Sequence, residues 1–291
     1  VSAVRPPASP DGPFVDLQVH STASDGALPP AEVVASAHHA GLVAFALTDH
    51  DTLAGLAEAR AAAAPLGLRI VAGVELSADH DGREVHVLGL HIRDEAGLEA
   101  RLATFREARV RRAEQIVARL VALGIPVTMD DVRAQWHGGA LGRPHIARAL
   151  VARGVVPDWR AAFHTYLGNG RPGHVPKPVL AVRDAIALIH DAGGLAIWAH
   201  PAREGTAANV RGLAALGLDG IEVKHPSHSP DDVTRLEGLA DAHGLLRSGG
   251  SDWHGLFEGP RVIGNQQVPL AWLEAQDRRA AVRQGATGVA S

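Results

Sequence analysis

The sequence predicts an α/β fold, a mainly parallel sheet or barrel interrupted by a helical insertion. Three observations carry this reading. Short apolar, β-branched runs alternate with amphipathic stretches over residues 14–92 and again over 182–248, the rhythm of strand-helix units whose strands pair in parallel. Between them, residues 96–175 carry helical patterns alone. Several of the apolar runs also end in His, Asp or Glu, at the strand ends where barrel and α/β enzymes keep their chemistry.

Taken in order, residues 1–13 are proline-rich and aperiodic and read as a flexible tail. Phe14-Val-Asp-Leu-Gln-Val-His20 reads as the first strand. A helix over 29–41 follows, with Pro29 and Pro30 in its first turn and Gly41 at its end. Strand 42–47, helix 52–66, strand 69–74 and strand 83–92 come next. In a long helix over 96–123, Leu98, Leu102, Phe105, Ile116 and Leu120 line one face and arginines the other. Shorter helices are expected over 130–135, 143–152 and 158–167. The alternation then resumes with helix 182–192, strand 195–198, helix 207–216, strand 220–223, helix 230–243 and strand 245–248. Beyond Gly259 no pattern stands out. The domain reading is a barrel domain over 14–95 and 176–291, with residues 96–175 as a helical insertion covering the site.

Composition excludes several classes of function. With 46% hydrophobic and 21% charged residues the chain is globular rather than disordered or fibrous. A net charge of -4 supplies no field for gripping nucleic acid in bulk. The absence of cysteine rules out disulfides, thiolate zinc sites, iron–sulfur clusters and a cysteine nucleophile, so nitrogen and oxygen must hold any metal. No apolar run approaches the roughly 18 residues that span a bilayer, and the start lacks a signal-peptide pattern, so a cytoplasmic protein is expected. Gly168 to Gly173 spells GxGxxG, but Pro172 disrupts the turn; neither a P-loop nor a GxSxG elbow occurs.

The chain has 17 histidines. His38 and His39, on a helix without patterned carboxylates, read as solvated. The strand-end groups differ: Gln18-Val-His20 with Asp25, Thr48-Asp49-His50-Asp51, Gly73-Val-Glu75 with Glu84-Val-His86, Ala199-His200-Pro201, and Gly250-Ser-Asp252-Trp-His254. Metal ligation needs ionised carboxylates and neutral imidazoles held together by rigid elements, and these positions offer both.

Together these residues closely resemble the PHP family, the polymerase and histidinol phosphatase superfamily of metal-dependent phosphoesterases. The likeness runs through Asp16-Leu-Gln-Val-His20-Ser-Thr-Ala-Ser-Asp25-Gly, Leu47-Thr-Asp-His50-Asp, Ala199-His200-Pro201 and Gly250-Ser-Asp252-Trp-His254. It implies a distorted seven-stranded (β/α) PHP barrel holding two or three divalent ions, with manganese the first choice and zinc or iron as alternatives. By motif position, Gln18, His20, Glu75 and Asp252 would form the first site and Glu75, His86 and His200 the second. Asp25, His50 and His254 would form the third, and Glu75 would bridge the first two. The family's first motif normally begins with histidine where this chain has Gln18. An amide oxygen is a weaker ligand than imidazole, so the first site is expected to be weaker and the centre active.

Within the superfamily the chain is similar to the nucleotide phosphoesterases of the nucleoside 3',5'-bisphosphate phosphatase and 5'-to-3' exoribonuclease group. Gly142-Arg143-Pro-His145-Ile-Ala-Arg148, the segment from Tyr166 to Lys177, and Gly220-Ile-Glu-Val-Lys224-His225-Pro-Ser-His228 carry that likeness. It implies hydrolysis of a phosphate ester on a nucleotide or short RNA end, with neither a membrane nor bulk nucleic acid as partner. Arg143, Lys177 and Arg203 are the phosphate-binding candidates, Arg143 also neutralising charge in the transition state. His225 or His228 would act as the acid or hold the phosphate. A histidinol-phosphate-type phosphatase, a phosphodiesterase confined to RNA ends, and a metal-stabilised module silenced by Gln18 are the alternatives.

Overall fold

A computed structural model of the chain describes residues 12–136, 141–176, 180–255 and 261–287. Its first half runs through β1 (Phe14–Val19), α1 (Pro30–His39), β2 (Ala44–Leu47), α2 (Leu56–Ala63), β3 (Arg69–His80) and β4 (Arg83–Leu90). Helices follow without a strand: α3 (Glu95–Ala122), α4 (Met129–Arg133), α5 (Arg143–Ala152) and α6 (Trp159–Ala162). The remainder comprises β5 (Leu180–Ala181), α7 (Val182–Asp191), β6 (Leu195–Trp198), α8 (Ala207–Ala215), β7 (Gly220–Lys224), α9 (Pro230–His243), β8 (Leu246–Gly249), β9 (Val268–Pro269) and α10 (Leu270–Thr287).

Among the described residues the strands form one nine-stranded sheet in the order β8-β7-β6-β4-β3-β2-β1-β9, with β5 beside β3. The pairs β1·β2, β2·β3, β6·β7 and β7·β8 are parallel. β4 departs from the expected rhythm, lying antiparallel to both β3 and β6. The cause is local: Asp81 and Gly82 take φ of 54° and 78°, and two successive positive φ values make the tight Asp-Gly hairpin that returns the chain beside itself. After β8 the chain comes back to β1. A parallel bridge joins Val19 to Trp253, Asp252 N donates to Gln18 O at 2.9 Å, and His20 N donates to Trp253 O at 2.9 Å. The result is a nearly closed, barrel-like α/β sheet.

Alternation along the strands divides the core. Val15, Leu17, Ala44, Ala46, Leu88, Leu90, Leu195 and Ile197 pack in one cluster with Leu273 of α10. Phe45, Leu47, Val74 and Leu76 join helix residues such as Val33, Leu56 and Ile189 in another. Strands buried on both faces are what helix-flanked parallel sheets require. A third cluster links Ala113, Ile116 and Leu120 with Val132, Ile146, Leu150, Ala162, Leu167 and Val175. Helix α3 therefore serves two cores, since Leu98 and Leu102, nearer its start, belong with the barrel helices. Each fully buried leucine or isoleucine contributes about 1.5–3 kcal/mol, which fastens α3 at both ends. Among the described residues no helix is long and apolar enough to cross a membrane.

Candidate metal centre

Ligands remote in sequence meet because the strands deliver them to one end of the sheet. β1 leads to Gln18 and His20, β2 to Asp49 and His50, β6 to His200, and β8 to Asp252 and His254, while Glu75 and His86 lie within β3 and β4. Three of these turns are strained. Asp51, His200 and Asp252 have φ of 52°, 34° and 51°, a left-handed conformation that costs a residue other than glycine about 1–3 kcal/mol.

The side chains form three groups: His20, Asp25, His50 and His254; Glu75, His86 and His200; and His20, Glu75 and Asp252. Within each group the potential ligand atoms lie within 4.8 Å of one another. Glu75 links two of them. Its Oε1 is 2.5 Å from His86 Nδ1 and 3.3 Å from His200 Nε2, and its Oε2 is 3.0 Å from His20 Nε2. Asp252 Oδ1 is 3.2 Å from His20 Nε2. Asp25 Oδ1 is 3.4 Å from His254 Nε2 and 4.0 Å from His50 Nε2. Gln18, wholly buried, donates from Nε2 to Glu75 Oε2 at 2.9 Å. His20 stands between two groups, whereas motif position had assigned it to one.

The donor set fits divalent ions. His20 Nδ1 and Gln18 Oε1 are buried without a hydrogen-bond partner, and His20 Nε2 and His225 Nε2 face only carboxylates. An unsatisfied buried polar atom costs about 1–3 kcal/mol. Here such atoms are imidazole and amide donors beside carboxylates, a nitrogen and oxygen set suited to a divalent transition metal.

Electrostatics point the same way. Burial raises the Asp25, Glu75 and Asp252 carboxyls, yet neighbouring histidines outweigh it and hold all three well below the ordinary range: His50 and His254 beside Asp25, His50 and His86 beside Glu75, His20 and His225 beside Asp252. Burial likewise opposes charge on His20, but the Asp252 and Glu75 carboxylates keep its imidazolium well above the usual value. His254 is raised, Asp25 and Asp252 prevailing over burial and the His20 charge. His50 is pushed down to about 3, chiefly by burial. Without metal, protons on His20 and His254 thus balance part of the carboxylate charge.

The substrate candidates fare unevenly. Burial, partly offset by Asp252, pushes His225 down to about 4. Ser227 N donates to its Nδ1 at 3.1 Å, which places the neutral ring's proton on Nε2, 3.5 Å from Asp252 Oδ2. In that tautomer Nε2 is the ring's hydrogen-bond donor. In His228, Nδ1 donates to Val223 O at 2.8 Å and Nε2 accepts from Ala202 N at 3.1 Å, so neither nitrogen is free for a leaving group. Arg143 Nη1 donates to Leu167 O at 3.1 Å and to Asn169 Oδ1 at 3.0 Å, and its guanidinium lies 5.6 Å from the Phe163 ring centre. It pairs with no carboxylate among the described residues. Arg203 is exposed on the turn after His200-Pro201, and Lys177 lies outside the described residues.

Sequence reasoning missed several residues. Asp49 accepts from Ser21 N at 2.8 Å, Ser21 Oγ at 2.7 Å and Ser24 Oγ at 2.6 Å, shaping the loop that carries His20 and Asp25. Asp16 accepts from Ser251 N and Gly264 N, both at 2.8 Å, and ties β1 to the Asp252 turn. Among cations, Arg109 Nε donates to Asp51 Oδ2 while its buried Nη2 has no partner. Arg148 Nη2 donates to Asp25 O at 2.5 Å, and Arg261 Nη1 lies 2.5 Å from Asp252 Oδ2. Arg109 sits on the arginine-rich face of α3, and Arg148 ends the Gly142-Arg143-Pro-His145 motif, so both had a signal. Asp16 and Asp49 had only their place inside motifs.

A nearly closed α/β sheet presents at one end a nitrogen and oxygen set able to hold divalent ions, the arrangement of a metal-dependent enzyme. Comparison with known proteins agrees. The PHP domain model matches residues 16–126. The chain is 41% identical over 277 residues to a 3',5'-nucleoside bisphosphate phosphatase of Chromobacterium violaceum, an alignment covering 91% of this chain and 97% of that protein. It is 39% identical to a 5'-3' exoribonuclease of Haemophilus influenzae, over 89% of this chain and 92% of that one. A solved chain from Bifidobacterium adolescentis, assigned there as a metal-dependent phosphoesterase, superposes with a TM-score of 0.85 at 33% identity, covering 93% of this chain and 98% of that one. The chain belongs to the PHP domain family.

Proposed function

We propose that this protein hydrolyses a phosphate ester of a nucleotide, a nucleoside 5'-monophosphate or 3',5'-bisphosphate, or of a short oligoribonucleotide end. The observation that carries the reading is the set of three His and carboxylate groups joined through Glu75 and His20. The likeness to a bisphosphate phosphatase and to an exoribonuclease, each over most of its length, supports the choice of substrate class. In this reading β1 to β4 and β6 to β8 make up the seven-stranded barrel, and residues 96–175 form an insertion over its mouth.

His20, Asp25, His50, Glu75, His86, His200, Asp252 and His254 would hold two or three divalent ions, with Gln18 at the margin of the first. Manganese is the first choice and zinc or iron the alternatives. Bound there, such ions supply Lewis acidity and a water of lowered pKa. The chain's own groups do the rest. In this reading the Nε2 proton of His225 would hydrogen-bond a phosphoryl oxygen, and the motif arginine Arg143, with Lys177 and Arg203, would neutralise phosphate charge.

The test is a phosphate-release screen with added manganese over mononucleotides, 3',5'-bisphosphates, short RNA and histidinol phosphate. Release from at least one nucleotide or RNA substrate, well above that from histidinol phosphate, is expected. Preference for histidinol phosphate would refute the substrate class. Stoichiometric metal without turnover of any ester would refute the enzymatic reading.

A further inference from the structure

The turn that carries His200 is held by side chains from the neighbouring strand and its loop. Glu222 Oε2 accepts from His200 N at 2.7 Å, and His228 Nε2 accepts from Ala202 N at 3.1 Å. Both N–H groups belong to residues in left-handed backbone, with φ of 34° at His200 and 41° at Ala202. The Ala202 carbonyl is taken as well, by Arg235 Nη2 at 2.6 Å. His228 is itself anchored by its Nδ1 donation to Val223 O, which fixes the tautomer that leaves Nε2 an acceptor. Left-handed residues other than glycine persist where their surroundings over-determine them. Here the surroundings are Glu222, His228 and Arg235. The imidazole they present lies 3.3 Å from Glu75 Oε1.

We propose that Glu222 and His228 are positioning residues that set the direction of His200, so that metal affinity at Glu75, His86 and His200 depends on two side chains outside the ligand set. This rests on reading that group as a metal site. Glu222 is wholly buried, spends one oxygen on the His200 N–H and has no partner for the other. A side chain needed only to fill space there would be apolar, because a buried carboxyl is retained at a cost unless its hydrogen bond is required.

The experiment measures manganese affinity by chelator competition and stoichiometry by elemental analysis. The proteins are wild type, Glu222→Ala, His228→Phe, His200→Ala and the double variants Glu222→Ala/His200→Ala and His228→Phe/His200→Ala, each checked for folding by near-ultraviolet circular dichroism. Loss of an outer partner of a ligating histidine typically costs about 10- to 100-fold in metal affinity. A loss of that size confined to one metal equivalent is expected for Glu222→Ala and His228→Phe. Neither should add to the loss in the His200→Ala background, because the effect runs through His200. Additive losses, or wild-type affinity in the folded single variants, would overturn the proposal. Should Glu222→Ala not fold, the His228→Phe and His200→Ala cycle decides it alone. A wild-type protein that binds none of manganese, zinc and iron would sink the metal reading instead. In that event crystal structures of the single variants decide: a His200 φ that leaves the left-handed region supports positioning, and an unchanged φ overturns it.

Discussion

Gln18 Nε2 donates to Glu75 Oε2 at 2.9 Å, the same oxygen that lies 3.0 Å from His20 Nε2. The amide thus occupies the carboxylate edge that an imidazole would leave to a metal, while its own Oε1 is buried without a partner. Gln18→His should exchange an amide for a better ligand at a position already inside the centre. The expected outcome is tighter metal binding, by about tenfold or about 1.4 kcal/mol, with turnover retained. Chelator competition measures it, and an affinity equal to wild type would show that position 18 does not face the ion.

Glu75 touches His20, His86 and His200 through its two oxygens. Glu75→Ala should therefore remove at least one metal equivalent. Manganese at about 100 times its dissociation constant adds about 2.7 kcal/mol of stability to a protein that binds it only when folded. Thermal scans should show that increment in wild type and a clearly smaller one in Glu75→Ala, whose group of His20, Asp25, His50 and His254 keeps its ligands. Equal manganese-induced shifts in the two proteins would refute the bridging role.

The protonated histidines give a pH dependence with a definite sign. In the metal-free protein His20 and His254 lie above the ordinary value of 6.5. Their contribution to stability is complete below that value and is lost as pH rises through their folded pKa values. Metal binding must displace the same protons, so affinity strengthens over the same window. The melting temperature of chelated protein should fall above pH 6.5, and the rise caused by manganese should grow. Asp25, Glu75 and Asp252, held low, act on the acid side, where their contribution disappears as pH falls through their folded values. A chelated protein that gains stability on the alkaline side would contradict the first statement.

Arg143 is anchored by a carbonyl and an amide, and a carboxylate, Glu84, acts on its charge only at longer range. Arg143→Ala should raise KM for a nucleotide substrate well over tenfold, since a buried charged hydrogen bond is worth about 2–5 kcal/mol. If the arginine holds a phosphate remote from the reacting one, kcat should change little; if it holds the reacting one, kcat should fall too. Steady-state kinetics on a mononucleotide and its 3',5'-bisphosphate separate the cases. Wild-type constants on both would remove Arg143 from the site.

The order of strands and helices was legible in the sequence because each buried strand is a short apolar run closed by a turn residue. Strand direction was legible too, except at β4. Only the Asp81-Gly82 turn betrays that β4 runs against its neighbours, and a parallel reading passes over it. Helix α10 was invisible because what places it is tertiary: Leu273 enters the core under the sheet, and Gln276 Nε2 donates to Arg247 O at 2.9 Å. At the centre, the residues brought into three groups stood out as His and acid at strand ends. Asp16 did not, because its partners Ser251 and Gly264 are 235 and 248 positions away. The main-chain bonds of His228 were hidden for a similar reason, since a sequence does not say whether an imidazole faces a cavity or a main chain.

The bridge between Val19 and Trp253 has a consequence for biosynthesis. Two of the three ligand groups pair His20 with residues of the Asp252 turn, so a growing chain cannot complete them until it has been made through that turn. Contacts of such sequence separation also form late and slowly. The full centre therefore cannot be completed before the Asp252 turn has been made, whereas Glu75, His86 and His200 all come from earlier in the chain.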